Sequence, residues 1–164
     1  MTLYLVVPCY NEEEVLPETA RRLAKKLDAL CSAGKISAQS RVLFVDDGSR
    51  DATWSLIEAV SGEDERFGGV KLSRNRGHQN ALMAGLTTAL DRRCDAVISL
   101  DADLQDDIDA VDRMVDSFLA GHDVVYGVRS SREKDTFFKR ATAQGFYKFM
   151  RLLGVELVYN HADY

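Results

Sequence analysis

The stretch Val97-Ile98-Ser99-Leu100-Asp101-Ala102-Asp103-Leu104-Gln105-Asp106-Asp107 is an apolar strand that ends in two carboxylates one residue apart. Side chains alternate along an extended chain, so Asp101 and Asp103 fall on one side and a divalent cation fits between them. Gln105, two residues further on, offers a third oxygen. Hard cations such as Mg²⁺ or Mn²⁺ take oxygen ligands and hold substrate phosphates through their remaining positions, which suits a diphosphate substrate. The acids Asp106, Asp107 and Asp109 read instead as the start of the next helix, where negative charge meets the N-terminal dipole.

Outward from this strand the chain alternates short apolar strands with amphipathic helices. Strand Leu3 to Val7 precedes a helix from about Glu13 to Cys31, with Leu16, Ala20, Leu23, Leu27 and Leu30 as its buried stripe. Strand Arg41 to Val45 leads to a helix near Ala52 to Val60, and strand Gly69 to Leu72 to a helix near His78 to Leu90. After the central strand, Ala96 to Leu100, residues Ile108, Val111, Val115 and Phe118 repeat at helical spacing, and the Val-rich Asp123 to Gly127 reads as a fifth strand. Such a βαβ series predicts an α/β fold: a mostly parallel sheet with helices on both faces, and ligands at the carboxyl ends of the strands.

Each early strand delivers polar residues at its carboxyl end. The first gives Pro8-Cys9-Tyr10-Asn11-Glu12, the second Asp46-Asp47-Gly48-Ser49, the third Ser73-Arg74-Asn75-Arg76-Gly77 and the fourth the Asp101 group. Four polar clusters therefore converge on one cleft. Neither Gly-X-Gly-X-X-Gly nor a Gly-Lys-Ser/Thr loop occurs, so a dinucleotide dehydrogenase or a P-loop ATPase lacks its phosphate-binding device, and the phosphates need a metal instead. By itself, Asp46-Asp47-Gly48-Ser49 also fits a plain Asp-Gly turn before the next helix.

At 164 residues and 46% hydrophobic content, the chain fits one domain with a real core, spanning 1–164. Leu3 to Val7 is too short for a signal-peptide core, and no apolar run approaches the ~18 residues of a membrane span, so a cytosolic location is the default. Cys9, Cys31 and Cys94 form an odd set without Cys-X-X-Cys spacing, as expected of reduced thiols. Net charge is −5, but Arg129 to Leu153 holds seven Lys or Arg against Glu133 and Asp135, which makes that stretch +5 and the remainder −10. A basic stretch in an acidic chain with no reading motif argues against nucleic-acid binding.

Val-Val-Pro-Cys-Tyr-Asn-Glu-Glu, Val-Asp-Asp-Gly-Ser-Arg-Asp-Ala-Thr, Ser-Arg-Asn-Arg-Gly-His-Gln and Leu-Asp-Ala-Asp-Leu-Gln-Asp, in that order, resemble family 2 glycosyltransferases over essentially the whole chain. The resemblance points to the branch of dolichyl-phosphate mannose synthases and bactoprenol glucosyltransferases, which move sugar from a nucleotide donor to a polyprenyl phosphate. It implies a GT-A fold and an inverting transfer. By position, Pro8, Tyr10, Asn11 and Glu12 resemble the first nucleotide-contacting loop, and Asp47 resembles the carboxylate that accepts a hydrogen from the base. Uracil and guanine both offer a ring N–H, so Asp47 leaves the base open. Arg74, Arg76 and His78 lie where a diphosphate or sugar is met. Asp101, Ala102, Asp103 and Gln105 match the nucleotide, metal and diphosphate site, where a cation neutralises charge growing on the leaving group.

Further along, a helix from about Thr136 to Leu153 carries the apolar face Phe138, Ala141, Gly145, Phe149 and Leu152, flanked by Arg140, Lys148 and Arg151. It reads either as a membrane-surface helix or as an ordinary helix packed on the sheet. By resemblance, Arg129 and Arg140 hold the acceptor phosphate, a task suited to arginine's planar fork. Asp163 orients or screens a lipid phosphate, or serves as base if the acceptor is a hydroxyl. The family's motif continues past Tyr164 with Arg and Leu, so the catalytic domain looks truncated there and its parent is expected at the inner face of the membrane. Three readings follow: a polyprenyl-phosphate glycosyltransferase with UDP-glucose as leading donor and GDP-mannose or UDP-N-acetylhexosamine open; a soluble family 2 enzyme acting on a saccharide hydroxyl; and a non-catalytic nucleotide-sugar module. A homo-oligomer stays open in each.

Overall fold

The computed structural model describes residues 1–103 and 107–127. The elements run β1 (Leu3–Cys9), α1 (Leu16–Ser32), β2 (Arg41–Asp46), α2 (Thr53–Glu63), β3 (Phe67–Lys71), α3 (His78–Asp91), β4 (Ala96–Ser99) and α4 (Ala110–Leu119). The four strands form one sheet in the order β3-β2-β1-β4. Every pairing is parallel, with Tyr4 opposite Arg41, Leu3 opposite Ala96 and Val42 opposite Phe67 setting the register. All seven residues of β1 are buried, the continuous run expected of a central parallel strand covered on both faces.

Alternation along the strands separates two cores. Leu3, Leu5, Val7, Val42, Phe44 and Ile98 pack with α1, α2 and α4 through Leu23, Leu27, Ile57, Val111 and Val115. Tyr4, Val6, Leu43 and Val45 point the other way and pack with α3 through Ala81 and Ala89. Between those alanines lies Gly85, where a Cβ would press into the side chains of Val6 and Val45. This small-residue stripe lets α3 lie close on the sheet, and its first turn then reaches the carboxyl ends of β1 and β2. Lys26 of α1 bridges to Asp109 at 2.7 Å and Asp112 at 2.5 Å, tying α1 to the start of α4.

Two expectations change. The first helix begins at Leu16 rather than near Glu13, with Pro17 in its first turn. Residues 13–15 form a turn in which the Glu12 carbonyl accepts the Val15 and Leu16 N–H groups, and Pro17 has no N–H to give the Glu13 carbonyl, so the regular ladder begins only beyond it. Asp123 to Gly127 has no ladder partner among the described residues and is not a strand. Val124 and Tyr126 are 66% and 59% exposed and only Val125 packs on the core, and valine's strand preference reflects packing on a pleated, half-buried surface that this segment lacks. Residues Met1–Val125 make one compact unit. The expected basic helix of 136–153 and the remainder of a 1–164 domain lie outside the described residues.

Candidate functional site

The carboxyl ends of all four strands meet at a cleft of about 360 Å³. Pro8, Cys9, Tyr10 and Glu12 come from the end of β1, Asp47 follows β2, Asn75 and Gly77 follow β3, and Asp101, Ala102 and Asp103 follow β4, with His78 and Ala81 from α3. The volume lies within the range of small-ligand sites, and the placement is the one expected of an open parallel sheet.

The loops are fastened to one another. Asp47, 3% exposed, accepts the Arg76 N–H on Oδ1 at 2.6 Å and the Gly77 N–H on Oδ2 at 2.8 Å. Its carboxylate thus closes the β3–α3 loop over the end of β2. Gly48, at φ +70°, makes that approach possible: a Cβ there would stand 2.5 Å from the Arg74 carbonyl carbon and 2.6 Å from the Asn75 nitrogen. On the far side, the Thr19 hydroxyl of α1 donates to the Ala102 carbonyl at 2.6 Å. That bond fixes the backbone between Asp101 and Asp103.

The electrostatics are acidic. Glu12 titrates above the ordinary carboxylate range, first because burial disfavours its charge and then because Asp103, Asp51 and Asp101 repel it. Cys9 is pushed far up by burial, with Glu12 and Asp46 adding to the effect, so it stays a thiol and is not a nucleophile at neutral pH. Cys9, Cys31 and Cys94 are all free. An oxygen-rich, negatively charged cleft suits a hard cation, which would relieve the repulsion lifting Glu12. Among the described residues, no three His, Cys, Asp or Glu side chains are arranged to hold a metal by themselves.

Of the residues singled out in the sequence, Pro8, Tyr10, Glu12, Asp47, Asp101, Ala102 and Asp103 come together in the cleft. Asn11 and Arg74 are exposed beside it and do not line it. Asn11 uses its side-chain oxygen to accept the Arg50 N–H at 2.9 Å. Asp107 and Asp109 precede α4 as expected, although Asp109 at the cap position bonds Lys26 rather than its own helix. Gln105, Arg129, Arg140 and Asp163 lie outside the described residues. No local pattern in the sequence singles out Thr19, 83 positions from its partner, and Thr53 is marked only by the Asp-X-Thr spacing of 51–53.

The parallel sheet flanked by helices, with its acidic cleft at the carboxyl ends of the strands, is compatible with several doubly wound folds, and likeness to a solved structure identifies it as the GT-A fold. The structure of S. aureus TarS 1–349 shares it with a TM-score of 0.53 at 21% identity, over 83% of this chain and 40% of that one. The family model of glycosyl transferase family 2 matches residues 4–162, and the chain belongs to that family. It is 52% identical over 162 residues to an uncharacterized glycosyltransferase, YkoT, of Bacillus subtilis (strain 168), covering 99% of this chain and 48% of that protein. It is 38% identical over 148 residues to the prophage bactoprenol glucosyl transferase homolog of Escherichia coli (strain K12), covering 90% and 45%. The bactoprenol glucosyl transferase of Shigella phage SfX is 39% identical over 90% of this chain and 46% of its own length. The chain thus spans about half the length of these relatives. Among the described residues, no helix is long and apolar enough to cross a membrane.

Proposed function

We propose that this chain carries the donor site of an inverting glycosyltransferase that moves a hexose from a nucleoside diphosphate to a polyprenyl phosphate, with UDP-glucose the first donor to test and GDP-mannose the second. The observation that carries the reading is the entry of Asp101 and Asp103 from β4 into the cleft formed by Tyr10, Glu12 and Asp47. The relatives named bactoprenol glucosyl transferases support both the sugar and the acceptor class.

In this reading Pro8 and Tyr10 meet the base and ribose, and Asp47 offers the base its remaining lone pairs while holding the β3–α3 loop. Asp101 and Asp103 would hold Mg²⁺ or Mn²⁺, and Gln105 is the further oxygen that the sequence offers. Such an ion, when bound, offsets the negative charge of the departing diphosphate. The acceptor needs no strong base, because a phosphate monoester with a second pKa near ~6 is mostly dianionic at neutral pH. Arg129 and Arg140 bind its oxygens and Asp163 orients it, roles that rest on the sequence. In this reading transfer takes place at the cytosolic membrane face, where a polyprenyl phosphate presents its head group.

Transfer tests the reading. Labelled UDP-glucose or GDP-mannose is incubated with the protein, Mn²⁺ and polyprenyl phosphate in detergent, or with a saccharide acceptor instead. Label that enters the lipid fraction and is lost in Asp103→Ala is the expected result; label on the saccharide alone, or none from a protein that binds donor, contradicts it.

A further inference from the structure

The β1–α1 loop carries Tyr10 and Glu12 into the cleft, yet its backbone is irregular and makes few bonds of its own. Asn11 sits at φ 55°, uncommon for a residue other than glycine. What holds it is the β2–α2 loop together with Thr53, the first residue of α2. The N–H groups of Asn11, Glu12 and Glu13 donate in turn to Ser49 Oγ at 2.9 Å, Thr53 Oγ1 at 2.8 Å and Asp51 Oδ2 at 3.2 Å. Two bonds run the other way: the Arg50 N–H donates to Asn11 Oδ1 at 2.9 Å and the Ala52 N–H to Glu13 Oε2 at 2.7 Å. Three successive amides of one loop and two of the other are thus satisfied across the gap.

Thr53 is the centre of this zipper. It is fully buried. Its hydroxyl proton goes to Asp51 Oδ1 at 2.6 Å, so the lone pairs are turned toward the Glu12 N–H. A threonine at a helix start ordinarily serves its own helix, but α2 has Ala52 at its cap and no side-chain capping bond. The Thr53 hydroxyl is directed across to the first loop instead. Asp51, which also accepts the Thr53 N–H at 3.0 Å, keeps it there.

We propose that Thr53, with Asp51 behind it, is a positioning residue for nucleotide binding: it fixes the backbone of Glu12 and thereby the shape of the cleft wall that Tyr10 and Glu12 present. This rests on the reading of the cleft as a nucleotide site. Thr53→Val keeps the volume and removes the acceptor, leaving the Glu12 amide to find water by moving outward. The expected loss is about tenfold in affinity, the equivalent of one net hydrogen bond.

UDP and GDP are titrated with Mn²⁺ into the wild type, Thr53→Val, Thr53→Ser and Asp51→Asn, and each melting temperature is recorded. The expected result is weaker binding by folded Thr53→Val and near-normal binding by Thr53→Ser, which keeps the oxygen but loses the methyl group. Should Thr53→Val fail to fold, Asp51→Asn carries the test, with an expected affinity loss of about threefold at least. A purely structural role lowers the melting temperatures of Thr53→Val and Thr53→Ser together and leaves nucleotide affinity unchanged, which overturns the proposal. A wild type that binds neither nucleotide overturns the cleft reading itself.

Discussion

Replacing Asp47 with Asn asks whether the cleft is held by one carboxylate. The side chain keeps its volume, so no cavity term enters, and the position is 3% exposed. In the wild type its two oxygens receive the Arg76 and Gly77 amides at 2.6 and 2.8 Å. The amide offers one oxygen and one NH₂ group, so one of these bonds is lost and a donor is left facing a donor. Hydrogen bonds to a charged acceptor are worth about 1.5–3 kcal/mol each. Because Arg76 and Gly77 are exposed and can rehydrate, a cost of about 2 kcal/mol is reasonable. That cost falls first on the β3–α3 loop, where Arg74 and Arg76 are exposed trypsin sites. In the regime where opening is fast relative to cleavage, about 2 kcal/mol corresponds to roughly 30-fold faster native-state cleavage there. Limited trypsinolysis, read by mass spectrometry at Arg74 and Arg76 and normalised to Lys25, checks this. Cleavage at the wild-type rate with an unchanged urea midpoint would refute the latch.

Three other perturbations follow from the same geometry. Gly48→Ala, placed at φ +70° against the Arg74 and Asn75 backbone, is expected to cost about 2–4 kcal/mol from strain and overpacking together, measured by urea unfolding. Thr19→Val leaves the buried Ala102 carbonyl without its donor, a loss of about 1–3 kcal/mol, and is expected to weaken Mn²⁺-dependent nucleotide binding while Thr19→Ser preserves it. Glu12→Gln is expected to stabilise the protein at pH 7, because the native state raises the Glu12 pKa above its ordinary 4.5. The native state therefore binds the proton more tightly than the unfolded chain, and the wild type loses stability as pH rises from 4.5 through that raised value. The advantage of the variant in thermal melts should shrink on acidification and vanish below about 4.5.

The fold was legible because each apolar run ended in a polar cluster, and in a parallel α/β sheet those ends share one edge. Asp47, Asp101 and Asp103 could therefore be placed in one cleft from order alone. Helix boundaries were less legible: the loop before Leu16 is held by bonds from the Asn11, Glu12 and Glu13 amides to Ser49, Thr53 and Asp51, 38 to 41 positions away, which no local pattern shows. The Val-rich 123–127 stretch misled because strand preference says nothing about whether a partner edge and a covering layer exist. Thr19 was invisible because its bond to Ala102 spans 83 positions and an amphipathic helix pattern shows only that the residue faces inward. Asp47 was read as a contact to the base, and the structure adds the loop that it holds.

A cation held by Asp101 and Asp103 beside Tyr10, Glu12 and Asp47 would make nucleotide binding metal-dependent. Calorimetric titration of UDP and of GDP, each with Mn²⁺ or with EDTA, into the wild type and Asp103→Ala measures that dependence. The expected result is that one nucleotide binds with Mn²⁺, that EDTA abolishes the binding, and that Asp103→Ala loses it while remaining folded. Absence of binding by both nucleotides, or binding equal in EDTA and in the variant, would contradict it.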